Sequence, residues 1–136
     1  MTIANARPRV VIAEEDAGIR ASLCQLISRL SVEVSGVSNG SELVLVLTDD
    51  RPVDLLIVDA DLPWMSGLRV ALLARRWGMD VPMILLTVSP DDVLRSKVAE
   101  LGAADLLPMF TSPDELLALV RDRLFHWEMA PADPVN

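Results

Sequence analysis

Apolar and polar positions along this chain switch repeatedly between two periods. "RVVIAE" (9–14) is a short β-branched apolar run of the kind a buried strand makes. Ile19, Leu23, Leu26, Ile27 and Leu30 then recur at helical spacing, which predicts a helix over about 17–30. "VEVSGV" (32–37) alternates like a strand and "SNG" closes it. "SELVLVLTDD" (41–50) suits either period; its place between two strands makes it a helix. "DLLIVD" (54–59) has no alternation, which implies burial on both faces, the mark of a parallel sheet. A helix over about 66–77 follows, with Leu68, Ala71, Leu72 and Arg75 on one side, then a strand, "PMILLT" (82–87). The helix over 89–101 starts with Ser89 as cap, Pro90 in the first turn, and Asp91 and Asp92 at the positive end of the dipole. "ADLLPM" (104–109) is a fifth strand, and Ser112 and Glu115 stand at capping-box spacing to open a helix over 112–127.

Five strand–helix units predict an α/β domain, (βα)5, a doubly wound five-stranded parallel sheet between two helical layers with right-handed crossovers. In the flavodoxin-like strand order, 2-1-3-4-5, ligands sit beyond the carboxyl ends of the strands. The domain is expected over 8–127, with a short extension at 1–7 and a disordered tail at 128–136.

Strand one ends in Glu14 and Glu15, strand three in Asp59, strand four in Thr87 and strand five near Met109. In that order Glu14, Glu15 and Asp59 face one crevice beside a hydroxyl. Carboxylates so close repel unless a cation lies between them, and a hard divalent ion such as Mg²⁺ is the natural one. A charge placed directly after four apolar strand residues favours a functional Asp59 over a structural one.

Composition narrows the field. In 136 residues, 51% of them hydrophobic, one domain can bury a real core. No apolar run reaches the length of a membrane span, and "MTIANARPRVV" lacks the pattern of a signal peptide. A soluble cytoplasmic protein is the expectation. The net charge of −8 argues against direct contact with nucleic acid or anionic lipid. Cys24 is the only cysteine, which excludes a disulfide framework. His126 is read as a solvated residue of a last helical turn, and Trp64 as a packing residue. Lys97 is the only lysine, so any role that needs a lysine at a fixed place can be checked by inspection.

"VVIAEEDAGIR", "DLLIVDADLPWMSGL", "VPMILLT" and "LGAADLLP…SPDELL" together resemble the receiver domain of bacterial two-component response regulators, over about residues 8–127. The resemblance implies that Asp59 accepts a phosphoryl group from a histidine kinase or phosphotransfer protein. It implies that Glu14 and Glu15 hold Mg²⁺ with Asp59 and the backbone carbonyl of Asp61. It implies that the Thr87 hydroxyl bonds the phosphoryl group and switches, and that a homodimer or an output partner uses the face of helix four, strand five and helix five.

The chain departs from that pattern in three places. The family has a lysine followed by proline after strand five; here Met109 and Phe110 stand there. Glu14 and Glu15 replace the usual aspartates, and each longer arm loses up to about 1 kcal/mol of rotamer freedom on binding metal. Leu106 replaces the aromatic residue that couples to the threonine. The expectation is an atypical receiver that keeps its acceptor, binds Mg²⁺ weakly and has a weakened or lost phosphorylation switch. One alternative is a phosphorylation-independent interaction module, in which Met109 and Phe110 form part of a contact patch. The other is a phosphatase of haloacid-dehalogenase type, with Asp59 as nucleophile and Asp61 as acid/base. Leu62 and Pro63 break that motif, and its lysine has no place here.

Overall fold

A computed structural model describes residues 7–129. Five strands, β1 (Arg9–Ala13), β2 (Glu33–Val37), β3 (Leu55–Asp59), β4 (Met83–Thr87) and β5 (Ala104–Pro108), form one parallel sheet in the order β2-β1-β3-β4-β5. Five helices connect and follow them: α1 (Ala17–Ile27), α2 (Gly40–Leu47), α3 (Gly67–Arg76), α4 (Asp92–Leu101) and α5 (Pro113–Met129). This is the flavodoxin-like (βα)5 fold expected from the alternation of periods.

The two-period logic of a strand sends alternate residues to opposite faces. Val11 and Ala13 of β1, with Leu56 and Val58 of β3, pack on Leu43, Val70 and Val98 from α2, α3 and α4. Val10, Ile12, Leu55 and Ile57 face the other way, onto Ile27 of α1 and Leu116 and Val120 of α5. Leu55 to Val58 are all essentially inaccessible, so the unbroken apolar run is buried on both sides as the pattern requires. Each such aliphatic side chain stabilises the fold by about 2 kcal/mol. The sheet is therefore rigid where it delivers its last residues to the crevice.

Local signals fix the helix starts, not always where expected. Helix α4 is capped by Asp91, whose carboxylate accepts from the Leu94 N–H at 2.8 Å. Ser89 is not the cap, because the helix begins at Asp92 and leaves Ser89 two residues before the cap position; its N–H donates to the Thr87 hydroxyl. The ambiguous segment is a helix, capped by Asn39 through the Glu42 N–H. Helix α1 tightens into a 3-10 turn over Ser28–Leu30 rather than continuing as α-helix. At α5 the Glu115 N–H donates to Ser112 Oγ at 3.1 Å, as the capping spacing predicts. That helix runs to Met129, so Glu128 and Met129, expected in a disordered tail, are helical. The expectation for 130–136 and that for the His126 side chain lie outside the described residues, as does most of the N-terminal extension. Among the described residues no helix is long and apolar enough to cross a membrane.

Candidate functional site

The site lies at the carboxyl ends of β1, β3 and β4. Strand β1 hands the chain to Glu14, whose N–H donates to the Val37 carbonyl at the end of β2. Glu14 is only 4% exposed. Its Oε2 accepts from the Asp16 N–H at 2.9 Å, while Oε1 is buried with no hydrogen-bond partner. Burial raises the Glu14 pKa above its ordinary range; the Asp16 N–H opposes this, and the neighbouring Asp59 carboxylate adds to it. Glu14 and Asp59 thus form a close carboxylate pair, and one of the Glu14 oxygens is buried without a partner.

Asp59 ends β3 half-buried, paired with Leu86 of β4. Its Oδ1 accepts from the Asp61 N–H at 2.9 Å, which fixes the carboxylate rotamer. Thr87 ends β4 at 1% exposure, and its Oγ accepts from the Ser89 N–H at 3.1 Å. The acceptor capacity of that hydroxyl is used within the loop, so its own proton can be given elsewhere.

The other expected residues are placed differently. Glu15 is exposed, and among the described residues no group of three or more His, Cys, Asp and Glu gathers as a metal cluster. The structure therefore brings Glu14 together with Asp59 and leaves Glu15 at the rim. The Asp61 side chain is exposed. Leu106 is half-buried and packs beside the core under α2, α3 and α4. Met109, just past β5, packs instead against the core under α1 and α5, and its N–H donates to the Thr87 carbonyl. Phe110 is 76% exposed. Met109 and Phe110 border an open groove of about 1210 Å³ between α1 and the start of α5, which includes Ile19, Leu23 and Leu116. No peptide bond among the described residues is cis.

The loop from Ala60 to Ser66 closes the site. Its end is pressed so tightly that a Cβ at Gly67 would lie 2.1 Å from the Asp59 carbonyl oxygen. Within it, the Met65 N–H donates to the Pro63 carbonyl at 2.8 Å, a three-residue turn that puts Trp64 at its centre with φ of 72°. Trp64 is 86% exposed. The expectation that it packs is wrong, because this turn leaves only an outward path for its side chain. Periodicity carried no signal for it; "LPWM", with a bulky residue between turn formers, was the only hint.

The response regulator receiver domain family matches residues 10–121. The chain belongs to this family. Response regulator MprA of Mycobacterium avium (strain 104) is 34% identical over 115 residues, covering 83% of this chain and 49% of MprA. The chain spans about half the length of the curated relatives it matches. The signal receiver domain of an HD domain-containing protein from Pseudomonas fluorescens Pf-5 is 29% identical, with a TM-score of 0.79 over 90% of this chain and 98% of that one. The receiver domain of a putative Luxo repressor protein from Vibrio parahaemolyticus, 24% identical, has the same fold, with a TM-score of 0.83 over 90% of this chain and 94% of that one. Receiver domains of two-component response regulators form a signalling family, which favours that reading over the phosphatase alternative. Asp59 sits at the end of the third strand, where a haloacid-dehalogenase motif would open its domain.

Proposed function

We propose that this receiver domain accepts a phosphoryl group on Asp59 from a histidine kinase or phosphotransfer protein, slowly and with a weakened switch. The single observation behind this reading is the Glu14–Asp59 pair, with one carboxylate oxygen buried and unpartnered beside the candidate nucleophile. The residues present fit a hard divalent cation: Glu14, Asp59 and the Asp61 carbonyl would hold Mg²⁺. Bound there, such an ion supplies positive charge where two anions must meet.

The chain's own groups do the rest. With Oδ1 held by the Asp61 N–H, Asp59 attacks through its other oxygen. An O–P bond forms to that oxygen, the bond from phosphorus to the donor breaks, and the leaving group keeps the electron pair. The Thr87 hydroxyl donates to a phosphoryl oxygen in the acyl phosphate. What the chain lacks is the second cation. Met109 stands at that position, half-buried against the core under α1 and α5, and brings no charge, so the new charge is under-neutralised. Leu106 offers Thr87 no aromatic partner, so its movement is poorly coupled to the face of α4, β5 and α5, proposed for a second copy or an output partner. A second reading, an interaction module indifferent to phosphorylation, is favoured by the exposure of Phe110 and Trp64.

The test is intact mass after treatment with acetyl phosphate and Mg²⁺. The expected result is slow addition of one phosphoryl group, absent in Asp59→Asn and without Mg²⁺. No addition at any time, together with partner binding that survives Asp59→Ala, would establish the second reading instead.

A further inference from the structure

Arg20 lies one turn into α1, on the side of the acidic loop. Its Nη1 donates to the Glu14 carbonyl at 2.8 Å and to the Glu15 carbonyl at 3.1 Å. Room for its stem comes from β2: a Cβ at Gly36 would lie 3.1 Å from both Cγ and Cδ of Arg20. Every polar atom of Glu14 but one is thereby assigned. The N–H goes to Val37, the carbonyl receives Arg20, and Oε2 receives the Asp16 N–H. The remaining atom, Oε1, is buried without a hydrogen-bond partner, in a carboxylate that neighbours Asp59.

We infer that Arg20 is a positioning residue of the phosphoacceptor site, a clamp on the β1–α1 loop that holds the Glu14 carboxylate in place beside Asp59. The inference rests on the reading of Glu14 and Asp59 as a cation site and adds the device that shapes it. A loop leaving a strand is free to rotate its first peptides. Two adjacent carbonyls held by one nitrogen fix both peptide planes, and with them the direction in which the Glu14 side chain leaves the backbone. The guanidinium reaches these carbonyls from a helix packed on the sheet, so the clamp is as rigid as the core beneath it. A single nitrogen serves both carbonyls, so an ammonium on a flexible stem can stand in, whereas an apolar stem of similar length cannot.

Three proteins test this: wild type, Arg20→Met, which keeps the stem without donors, and Arg20→Lys, which keeps a donor. Mg²⁺ affinity is measured by calorimetry, and in the metal-free proteins hydrogen exchange is followed at the Asp16 amide, which reports the placement of Glu14 Oε2. The expected result is an affinity about tenfold weaker in Arg20→Met, in the range seen when groups that orient metal ligands are removed. Exchange at Asp16 quickens in the same variant, and both are largely recovered in Arg20→Lys. Wild-type affinity and Asp16 protection in a folded Arg20→Met would overturn the inference. An equal loss in the Lys and Met variants would also overturn it, by showing that the stem and not the donor matters. If wild type itself binds no Mg²⁺, the cation reading fails, and exchange at Asp16 still decides whether Arg20 places Glu14. A partly unfolded Met variant leaves the decision to Arg20→Lys against Arg20→Gln, judged by the same two measurements.

Discussion

Met109 donates its backbone N–H to the Thr87 carbonyl at 2.8 Å, tying the first residue after β5 to the last residue of β4. A side chain at 109 therefore starts from a fixed point beside the threonine, and its chemistry decides whether the crevice has a second cation. The methionine side chain packs, half-buried, against the α1–α5 core. An ammonium has reason to turn the other way, since its methylenes can lie on the same apolar surface while the head reaches toward Asp59. Met109→Lys is expected to accelerate labelling of Asp59 by acetyl phosphate at least about tenfold, because a charge at the developing phosphoryl group is worth that or more. Intact-mass time courses with Asp59→Asn as blank measure it. An unchanged rate would mean that something other than the lost cation limits the reaction.

Trp64 carries a large side chain at φ 72° in a three-residue turn, where an L residue is strained by about 1–2 kcal/mol. Being exposed, it returns little of this through burial. Trp64→Gly should raise stability by about 1 kcal/mol, a gain of roughly 3–5 °C in Tm. Thermal unfolding by circular dichroism decides the matter, and a destabilised glycine variant would show that the indole is held by contacts worth more than the strain.

Glu14 gives the site a pH dependence. Burial, opposed by the Asp16 N–H and reinforced by Asp59, places its folded pKa above the ordinary glutamate value of about 4.3. The native state then binds this proton more tightly than the unfolded chain does. Its contribution to stability is present below the ordinary value, declines as pH rises through the folded value, and stays lost above it. Glu14→Gln removes the ionisation, so the variant should be more stable than wild type at pH 7, with the gap closing toward pH 4. Urea unfolding across that range, without metal, is the measurement; a gap that does not depend on pH would contradict it. Adding Mg²⁺ at pH 7 should stabilise wild type alone.

Most of the fold was legible because burial on both faces of a parallel sheet leaves continuous apolar runs such as Leu55–Val58, here alternating with segments of helical period. Asp59 and Glu14 were legible for the same reason, as charges where apolar strands stop. What periodicity could not show is the direction a side chain takes once the strand has ended. Glu14 and Glu15 are equivalent in sequence, yet one is buried and the other exposed, because the peptide turns between them. The outward Trp64, the Asp91 cap in place of Ser89 and the reach of Arg20 back to two carbonyls all depend on loop dihedrals, which one sequence does not encode in any period. Helix α5 outran its expected end because "HWEM" is compatible with a helix and with a tail alike.

Gly67 is the position where the site and the fold are least separable. It opens α3 directly beneath the acceptor, and a Cβ there would lie 2.1 Å from the Asp59 carbonyl oxygen and 2.5 Å from Val58 Cγ1. Neither obstacle can swing aside. The first is strand backbone and the second is a β-branched side chain sealed in the core. Alanine would therefore push α3 away from β3, and the loop that carries the Asp61 N–H spans exactly that gap in the chain, from residue 60 to residue 66. Gly67→Ala is expected to lose about 3 kcal/mol, at the upper end for an overpacked site. The Asp61 amide, deprived of its hold on Asp59 Oδ1, should exchange faster in the fraction that remains folded. Urea unfolding and amide exchange test the two effects separately, and a variant with wild-type stability would show that helix and strand can part here more easily than their packing implies.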